Sequence, residues 1–458
     1  MNVSVEKFLS KSAEKAQDTD HRNIINHNIS KYSQSFNKGI KQYKDLELAK
    51  KRSKHIKWKA IEDLDQTLLK FETNFTNNGG NVIWAKDSND AIAEIKKLIA
   101  KCQAKSIVKS KSMTTEEIEL NKELEDINIE VNETDLGEFI VQLANEPPYH
   151  IVTPAMHKSK EDIASLFHDN FNTPKHASPE EITAFARKKL REKFLTAEIG
   201  ITGANFILAE EGAISITENE GNARLTTACP KIHIVIVGIE KVISSFKDLT
   251  HFLPLLSSYG TGQKITAYNS IFFGPKKENE HDGPEEMHVI ILDNGRTELL
   301  ADKDLRESLY CIRCGACLNA CPVYKKIGGH SYGTTYSGPI GSVISPHFKG
   351  MKEFNHLSFA SSLCGNCTEV CPVRINIHEL LMKNRKKAID QGYSSISERW
   401  LIYLWKKANL KRSLLNLLPY RIKNIAFNLF FSSSWSKKRK DLKFSKKPFN
   451  TLWKEQFK

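Results

Sequence analysis

Residues 311–322 read CIRCGACLNACP, with four cysteines spaced C-x2-C-x2-C-x3-C and a proline directly after the last one. This spacing is typical of ferredoxins with two clusters, where three cysteines bind one [4Fe–4S] cluster and the fourth binds the other. Gly315 relieves crowding where the chain passes close to a cluster, and Pro322 restricts how the chain continues. The stretch therefore predicts an iron–sulfur segment, with helices around each motif.

A second motif, SSLCGNCTEVCP at 361–372, repeats the pattern with Ser361 in the place of its first cysteine. Exchange of the last cysteines assigns the ligands of cluster one as Cys311, Cys314, Cys317 and Cys371, and those of cluster two as Cys321, Cys364 and Cys367. One iron of cluster two then has no cysteine ligand. It could take Ser361, His330, His356, water or a partner's ligand, or the site could lose that iron and become [3Fe–4S].

A structural zinc site is the alternative for paired C-x2-C motifs. The C-x2-C-x2-C triplet is rare in zinc modules, and two motifs that end in Cys-Pro favour iron–sulfur clusters. Cys102 and Cys229 lie far from both motifs, and we expect them to be small core residues.

Seven of the nine cysteines of this 458-residue chain fall between Cys311 and Cys371. Residues 1–30 contain no apolar stretch after a basic start, and no segment approaches the roughly 18 uncharged apolar residues of a membrane span. We therefore expect a cytoplasmic protein, in which clustered cysteines bind metal rather than form disulfides.

The net charge of +13 is concentrated at the C-terminus. Residues 401–458 contain fifteen Lys or Arg and two acidic residues, which accounts for the whole excess. The mixture of Trp, Leu and Lys around residues 399–431 has helical spacing and suits either a partner-docking helix or weak contact with a membrane surface. No nucleic acid is expected, because the rest of the chain is neutral overall.

The chain divides by composition into a polar helical arm at 1–60, an α/β domain at 61–302, a two-cluster segment at 303–385 and a basic helical region at 386–458. We expect only marginal order in the arm. In the α/β domain, amphipathic helices are predicted at 88–102 and 178–194, the second opened by a capping box of Ser178 and Glu181. A mostly parallel sheet is predicted, with strands at 81–86, 106–110, 128–134, 150–154, 212–218, 232–238 and 287–293.

Neither a dinucleotide fingerprint nor a P-loop occurs in the sequence, so a hydride-transfer step would need another subunit. Two polar segments of the α/β domain are candidate sites. The segment 209–231 places Glu210, Glu218, Glu220 and Arg224 near strand ends, although a role as ordinary turn and edge residues explains them better. The glycines of the loop 257–268 could hold a phosphate or carboxylate, or form a plain connection.

The chain resembles the lactate utilisation protein B family, the iron–sulfur proteins of the L-lactate utilisation system. The resemblance rests on residues 203–243, 311–341 and 361–373, and it includes Ser361. It implies an α/β domain of the sugar-isomerase and CoA-transferase kind followed by an α-helical ferredoxin domain. It also implies a role in the oxidation of L-lactate to pyruvate, with two co-encoded partners: a cysteine-rich protein and a second α/β-domain protein.

Three functions are compatible with the residues. The chain could be an electron-transfer subunit of an oxidoreductase, with no catalytic residue of its own identified. It could instead be an enzyme whose three-cysteine cluster binds substrate as a Lewis acid. It could also be a scaffold whose clusters sense redox state. The first function agrees best with the resemblance.

Overall fold

The computed structural model describes residues 3–394, 396–435 and 443–457. The chain forms two compact units, one up to Lys387 and one from Ala388 onward. In the first unit the helices are α1 Val3–Gln17, α2 Thr19–Gly39, α3 Leu46–Glu62, α4 Leu64–Asn77, α5 Ser88–Cys102, α6 Met113–Glu117, α7 Leu120–Glu125, α8 Leu136–Leu143, α9 Lys160–Phe171, α10 Pro179–Thr196, α11 Asn222–Ala228, α12 Phe246–Thr261, α13 Arg296–Ala301, α14 Ala316–Ala320, α15 Pro322–Ile327, α16 Gly338–Phe348, α17 Met351–Phe354, α18 His356–Phe359, α19 Asn366–Glu369 and α20 Ile377–Asp390. The strands are β1 Asn81–Ala85, β2 Ser106–Lys109, β3 Glu130–Glu133, β4 Ile199–Gly203, β5 Phe206–Leu208, β6 Ala213–Glu218, β7 Ile232–Gly238, β8 Val242–Ile243, β9 Tyr268–Phe272 and β10 Glu286–Leu292.

The N-terminal helices belong to the folded unit. The side chains of Asp18 and Asp45 accept hydrogen bonds from backbone N–H groups in the first turns of α2 and α3, which caps both helices. Ile25 and Ile29 lie one turn apart on α2 and join the main hydrophobic core. The expectation of marginal order is therefore wrong for residues 3–60, because capped helices place apolar side chains such as Ile25 and Ile29 in the main core.

A six-stranded parallel sheet with the order β1-β10-β7-β4-β2-β3 forms the centre of the α/β domain. Every residue of β7 is buried, as expected for a strand covered on both faces. A second sheet has the order β8-β5-β6-β9 and contains both parallel and antiparallel pairs. The predicted parallel sheet is confirmed, and so is the capping box at the start of α10.

One predicted strand is wrong, and four strands were not predicted. Residues 150–154 form a turn, in which the Tyr149 N–H donates to the Pro154 carbonyl at 2.9 Å. The strands β5 and β8 have only three and two residues, too few for an alternating pattern, and β4 contains two glycines, which are depleted in strands. Asn269 and Ser270 interrupt the apolar residues of β9. Gly200 in β4 is required by packing, since a Cβ there would lie 1.9 Å from the Thr226 carbonyl oxygen of α11.

The cysteine-rich segment shares its core with the α/β domain. Val237 and Ile291 of the sheet belong to the same continuous cluster of buried residues as Leu318 and Ile340 of the cysteine-rich segment. The segment therefore folds onto the α/β domain and not as a separate body.

The second unit is helical, as expected for the C-terminal region. Its helices are α21 Ile396–Leu410, α22 Arg412–Asn416, α23 Tyr420–Trp435 and α24 Phe449–Gln456. Trp400 and Trp405 on α21 are exposed. Part of the basic tail, residues 436–442, lies outside the described residues. Within the described ranges, no helix is both long enough and apolar enough to cross a membrane.

Candidate metal centre

Four cysteines drawn from both motifs line one small cavity. They are Cys311, Cys314 and Cys317 of the first motif and Cys371 of the second. Burial raises the pKa of the Cys314 and Cys317 thiols, and the neighbouring sulfurs of Cys311 and Cys371 raise it further. Burial likewise raises the pKa of Cys371 to about 12. Such thiols become thiolate ligands only beside a strong positive charge, which a metal cluster supplies.

The other three cysteines form a second group. Burial, with the nearby Cys364 sulfur, raises the pKa of Cys321. Burial, with the sulfurs of Cys321 and Cys364, raises the pKa of Cys367 to about 11. Cys321 belongs to the first motif by sequence but interacts with these two cysteines of the second. Cys364 is exposed, whereas Cys321 and Cys367 are buried. The second group therefore reaches the protein surface.

Backbone N–H groups point at sulfur atoms in both groups. The N–H of Arg313 donates to Cys311 Sγ at 3.4 Å, that of Tyr324 to Cys321 Sγ at 3.5 Å, and that of Ile375 to Cys371 Sγ at 3.3 Å. Such bonds favour the charged form of a sulfur ligand. The donors and the grouping of the thiols both fit iron–sulfur clusters.

The two motifs adopt the same backbone conformation. Arg313 and Gly315 have φ values of 59° and 77°, and the matching Leu363 and Gly365 have φ values of 54° and 84°. Positive φ is uncommon outside glycine, so its recurrence at Arg313 and Leu363 shows that the loops are built alike. The backbone therefore has the same local shape around the pair Cys314 and Cys317 as around the pair Cys364 and Cys367.

Ser361 occupies the position in its loop that Cys311 occupies in the first. Its Oγ accepts a hydrogen bond from the Leu363 N–H at 3.1 Å, as the Cys311 sulfur does from Arg313. The two histidines considered as alternative ligands have other neighbours. His330 Nε2 lies 2.8 Å from the Pro147 carbonyl oxygen, and the ring of His356 packs against Phe8.

The two isolated cysteines differ from each other. Cys102 is half-buried and packs against the core of the α/β domain. Cys229 follows α11 and is exposed, so the expectation that it is a core residue is wrong.

Basic side chains surround Cys311. Lys57, Lys241 and Arg313 all interact electrostatically with its sulfur. Burial lowers the pKa of Lys57 to about 7 and that of Lys241 to about 8. Lys57 is anchored, because its Nζ donates to the Glu240 carbonyl oxygen at 2.5 Å. Positive charge so close to Cys311 would raise the reduction potential of a bound cluster.

A buried ion network continues from this basic region. Arg296 binds Glu117 through Nη2 at 2.8 Å and Glu240 through Nε at 2.5 Å. Arg313 binds the same Glu240 at 3.3 Å. Although burial opposes ionisation, the charges of Arg296 and Arg313 lower the pKa of Glu240 to about 2. The network ties the first motif to the ends of β7 and β10.

The polar segments noted in the sequence meet at another cavity. Glu218, Glu220, Gly260 and Thr261 all line it. Glu210 instead pairs with Lys70, and the Arg224 guanidinium lies 5.1 Å from the Tyr268 ring centroid. Residues 257–261 are the last turn of α12, so the predicted loop is partly helical.

Sequence reasoning missed the buried cations. Lys241 could have been found, because its charge comes just after the mostly apolar strand β7, where ligands bind in open α/β sheets. Lys57 lies in a helix rich in lysine and carries no such signal.

The two parts of the first unit match two different domain families. Residues 68–292 match the LUD domain, and residues 307–375 match the 4Fe-4S dicluster domain. Lactate utilization protein B of Anoxybacillus flavithermus is 47% identical over 346 residues, which cover 75% of this chain and 73% of that protein. The chain belongs to the lactate utilization protein B family.

A second relative with the same name supports this assignment. Lactate utilization protein B 2 of Bacillus mycoides is 42% identical over 400 residues, which cover 87% of this chain and 84% of that protein. A crystal structure of a DUF162 family protein from Deinococcus radiodurans covers 50% of this chain and 98% of its own, at 12% identity and a TM-score of 0.29. That superposition is too poor to support an argument about the fold.

Proposed function

We propose that this chain is an electron carrier with two [4Fe–4S] clusters that takes part in the oxidation of L-lactate to pyruvate. The observation that supports it most is the separation of the seven motif cysteines into a group of four and a group of three, with Cys321 and Cys371 exchanged between the motifs. That exchange is characteristic of proteins with two neighbouring clusters.

The chain's own residues hold and tune the clusters. The seven thiolates bind iron, and the backbone N–H groups that donate to sulfur stabilise the added negative charge of a reduced cluster. The clusters supply one-electron transfer. One iron of the second cluster has no cysteine ligand. Ser361 is the protein group best placed to bind it, because its Oγ has the position in the repeated loop that the Cys311 sulfur has in the first.

The two groups suggest a direction for electron flow. The first is enclosed beside the α/β domain, whereas Cys364 of the second is exposed. A partner's redox centre can approach the second group more closely. We infer that electrons enter or leave the chain at the second cluster and that the first lies further inside.

The names of the relatives support the pathway, and the partners are proposed from the resemblance of the sequence alone. The relatives are named for lactate utilisation, and lactate oxidation needs a partner for hydride chemistry because this chain has no nicotinamide or flavin fingerprint. We propose a cytoplasmic complex with a cysteine-rich protein and a second α/β-domain protein. The exposed aromatic residues and lysines of α21 would contact these partners or, weakly, a membrane surface. The parallel sheet is compatible with a sugar-isomerase or CoA-transferase type of α/β domain.

Activity on L-lactate with an artificial acceptor tests the proposal. Anaerobically purified chain should contain about eight irons and eight sulfides, or about seven irons if the second cluster lacks one corner. Alone it should oxidise no lactate, and with both partners it should restore turnover that the partners lack without it. Turnover by the chain alone would favour the Lewis-acid enzyme. Zinc in place of iron would overturn the proposal, and oxidation-dependent assembly without turnover would favour the sensor.

A further inference from the structure

A cavity of about 310 Å³ lies at the carboxyl edge of the parallel sheet. Lys111 follows β2, Asn205 follows β4 and Lys241 follows β7, and these three strands are neighbours in the sheet. Ligands of open α/β sheets bind at this edge. The volume is at the small end of the range for ligand sites.

One wall of the cavity belongs to the first cysteine group. Arg313 and Cys314 line it, and both also line the small cavity among the four thiols. A molecule bound here would be separated from the first cluster only by this shared wall.

Two buried cations in the cavity have free hydrogen-bond donors. Lys241 is only 7% exposed, and in the described part of the chain its Nζ has no hydrogen bond or ion pair. The Arg313 side chain is 10% exposed, and its Nη1 is buried with no partner among the described residues. Glu240 pairs with Arg313 and interacts with Lys241, but it leaves these donors without a hydrogen bond. A buried donor without a partner is costly, so these donors suit an anion.

Acidic groups elsewhere in the lining limit what this anion can be. Asp135, Glu218 and Glu220 line the same cavity. The Glu218 carboxylate already accepts hydrogen bonds from the N–H groups of Ala223 and Arg224, at 2.7 and 3.0 Å. These carboxylates would repel an ion that carries several negative charges, such as phosphate. They would tolerate a single carboxylate held at the cationic end, and they could accept a hydrogen bond from a hydroxyl group.

We propose that this cavity binds a small organic monocarboxylate, with its carboxylate held by Lys241 and Arg313 beside Cys314. The binding follows from the cavity alone, whereas the identification of L-lactate or pyruvate as the natural ligand rests on the proposed function. A bound carboxylate would neutralise positive charge near Cys311 and lower the reduction potential of the first cluster.

Calorimetric titration of the anaerobic full-length chain tests this. The probes are L-lactate, pyruvate, acetate, inorganic phosphate and sulfate, each used alone and in competition. We expect L-lactate or pyruvate to bind and phosphate and sulfate not to compete. Lys241→Met should weaken binding about tenfold or more, because a charge-assisted hydrogen bond is lost. Lys247→Met removes an exposed lysine six residues away and should bind as wild type.

Several outcomes would overturn the proposal: no binding of any acid, unchanged affinity in Lys241→Met, or stronger binding of phosphate or sulfate. Should Lys241→Met fail to fold, Lys241→Gln keeps a polar side chain of intermediate length but removes the positive charge, and it must weaken binding as well. Iron content and partner-dependent turnover are measured on the same preparation. Normal turnover without acid binding refutes only this inference, whereas acid binding by a chain without iron–sulfur clusters refutes only the proposed electron carrier.

Discussion

The two cysteine loops have the same backbone conformation but different surroundings. A Cβ added to Gly315 would lie 3.0 Å from His150 Cε1 and 3.1 Å from Val152 Cγ2, both in the α/β domain. A Cβ added to Gly365, at the same place in the second loop, would meet no described atom within 4 Å. The motif therefore determines the local shape, and the rest of the chain determines what surrounds each group of cysteines.

The charges near the two groups differ as well. Lys57, Lys241 and Arg313 interact with Cys311 of the first group, and Lys325 interacts with Cys321 of the second. More positive charge and less solvent surround the first group. Because positive charge stabilises the reduced form, we expect Lys57, Lys241 and Arg313 to raise the reduction potential of the first cluster.

Substitutions that test the exchange of Cys321 and Cys371 between the motifs should have the largest effect on the clusters. Cys321→Ser should abolish the spectroscopic signal that Cys364→Ser abolishes, although Cys321 lies in the first motif. Cys371→Ser should perturb the signal that Cys311→Ser removes and could leave a [3Fe–4S] centre. Electron paramagnetic resonance of the reduced and oxidised proteins separates the two signals.

Cys229→Ser is the matched control, because Cys229 is exposed and belongs to neither group. It should leave both signals unchanged. If Cys321→Ser affects the same signal as Cys311→Ser, each motif binds its own cluster. The assignment of four cysteines to one site and three to the other is then wrong.

The sequence was informative where local spacing determines structure. The run IHIVIVG at 232–238 is a buried strand, and Ser178 with Glu181 caps a helix, as their residues predict. The C-x2-C spacing likewise predicts loops that curl around a cluster, and Gly315 and Gly365 have the positive φ that such loops need.

The surroundings of the two cysteine groups depend on contacts between distant segments, and local spacing carries little information about them. The apolar run at 150–154 reads as a strand, but it is a turn whose His150 packs against the first loop. Lys57 reaches the end of β7 from an N-terminal helix, 183 positions away from Glu240 in sequence. Neither contact joins residues at a regular spacing in the sequence, so the pattern of residues along the chain does not reveal it.

The matched glycines give a smaller effect that sharpens the comparison. Gly365→Ala forces a side chain into positive φ, which costs about 1–2 kcal/mol. Gly315→Ala has the same backbone cost, and packing against His150 and Val152 adds about 1–3 kcal/mol. Iron release to a chelator across a urea series should therefore begin at lower urea in Gly315→Ala than in Gly365→Ala. Equal midpoints would mean that the α/β domain does not constrain the first loop.

Ser361 gives the smallest expected effect, and it tests whether the two loops are equivalent in chemistry as well as in shape. Its Oγ lies where the first loop has a sulfur, so Ser361→Ala should release about one iron and leave a [3Fe–4S] signal from the second cluster. Ser361→Cys should keep about eight irons and lower the potential of that cluster, because a thiolate adds negative charge. Ser362→Ala alters the exposed neighbour and should match wild type in iron content and potential. If Ser361→Ala keeps all its iron, the remaining corner is held by water, a histidine or a partner, and the serine preserves only the shape of the loop.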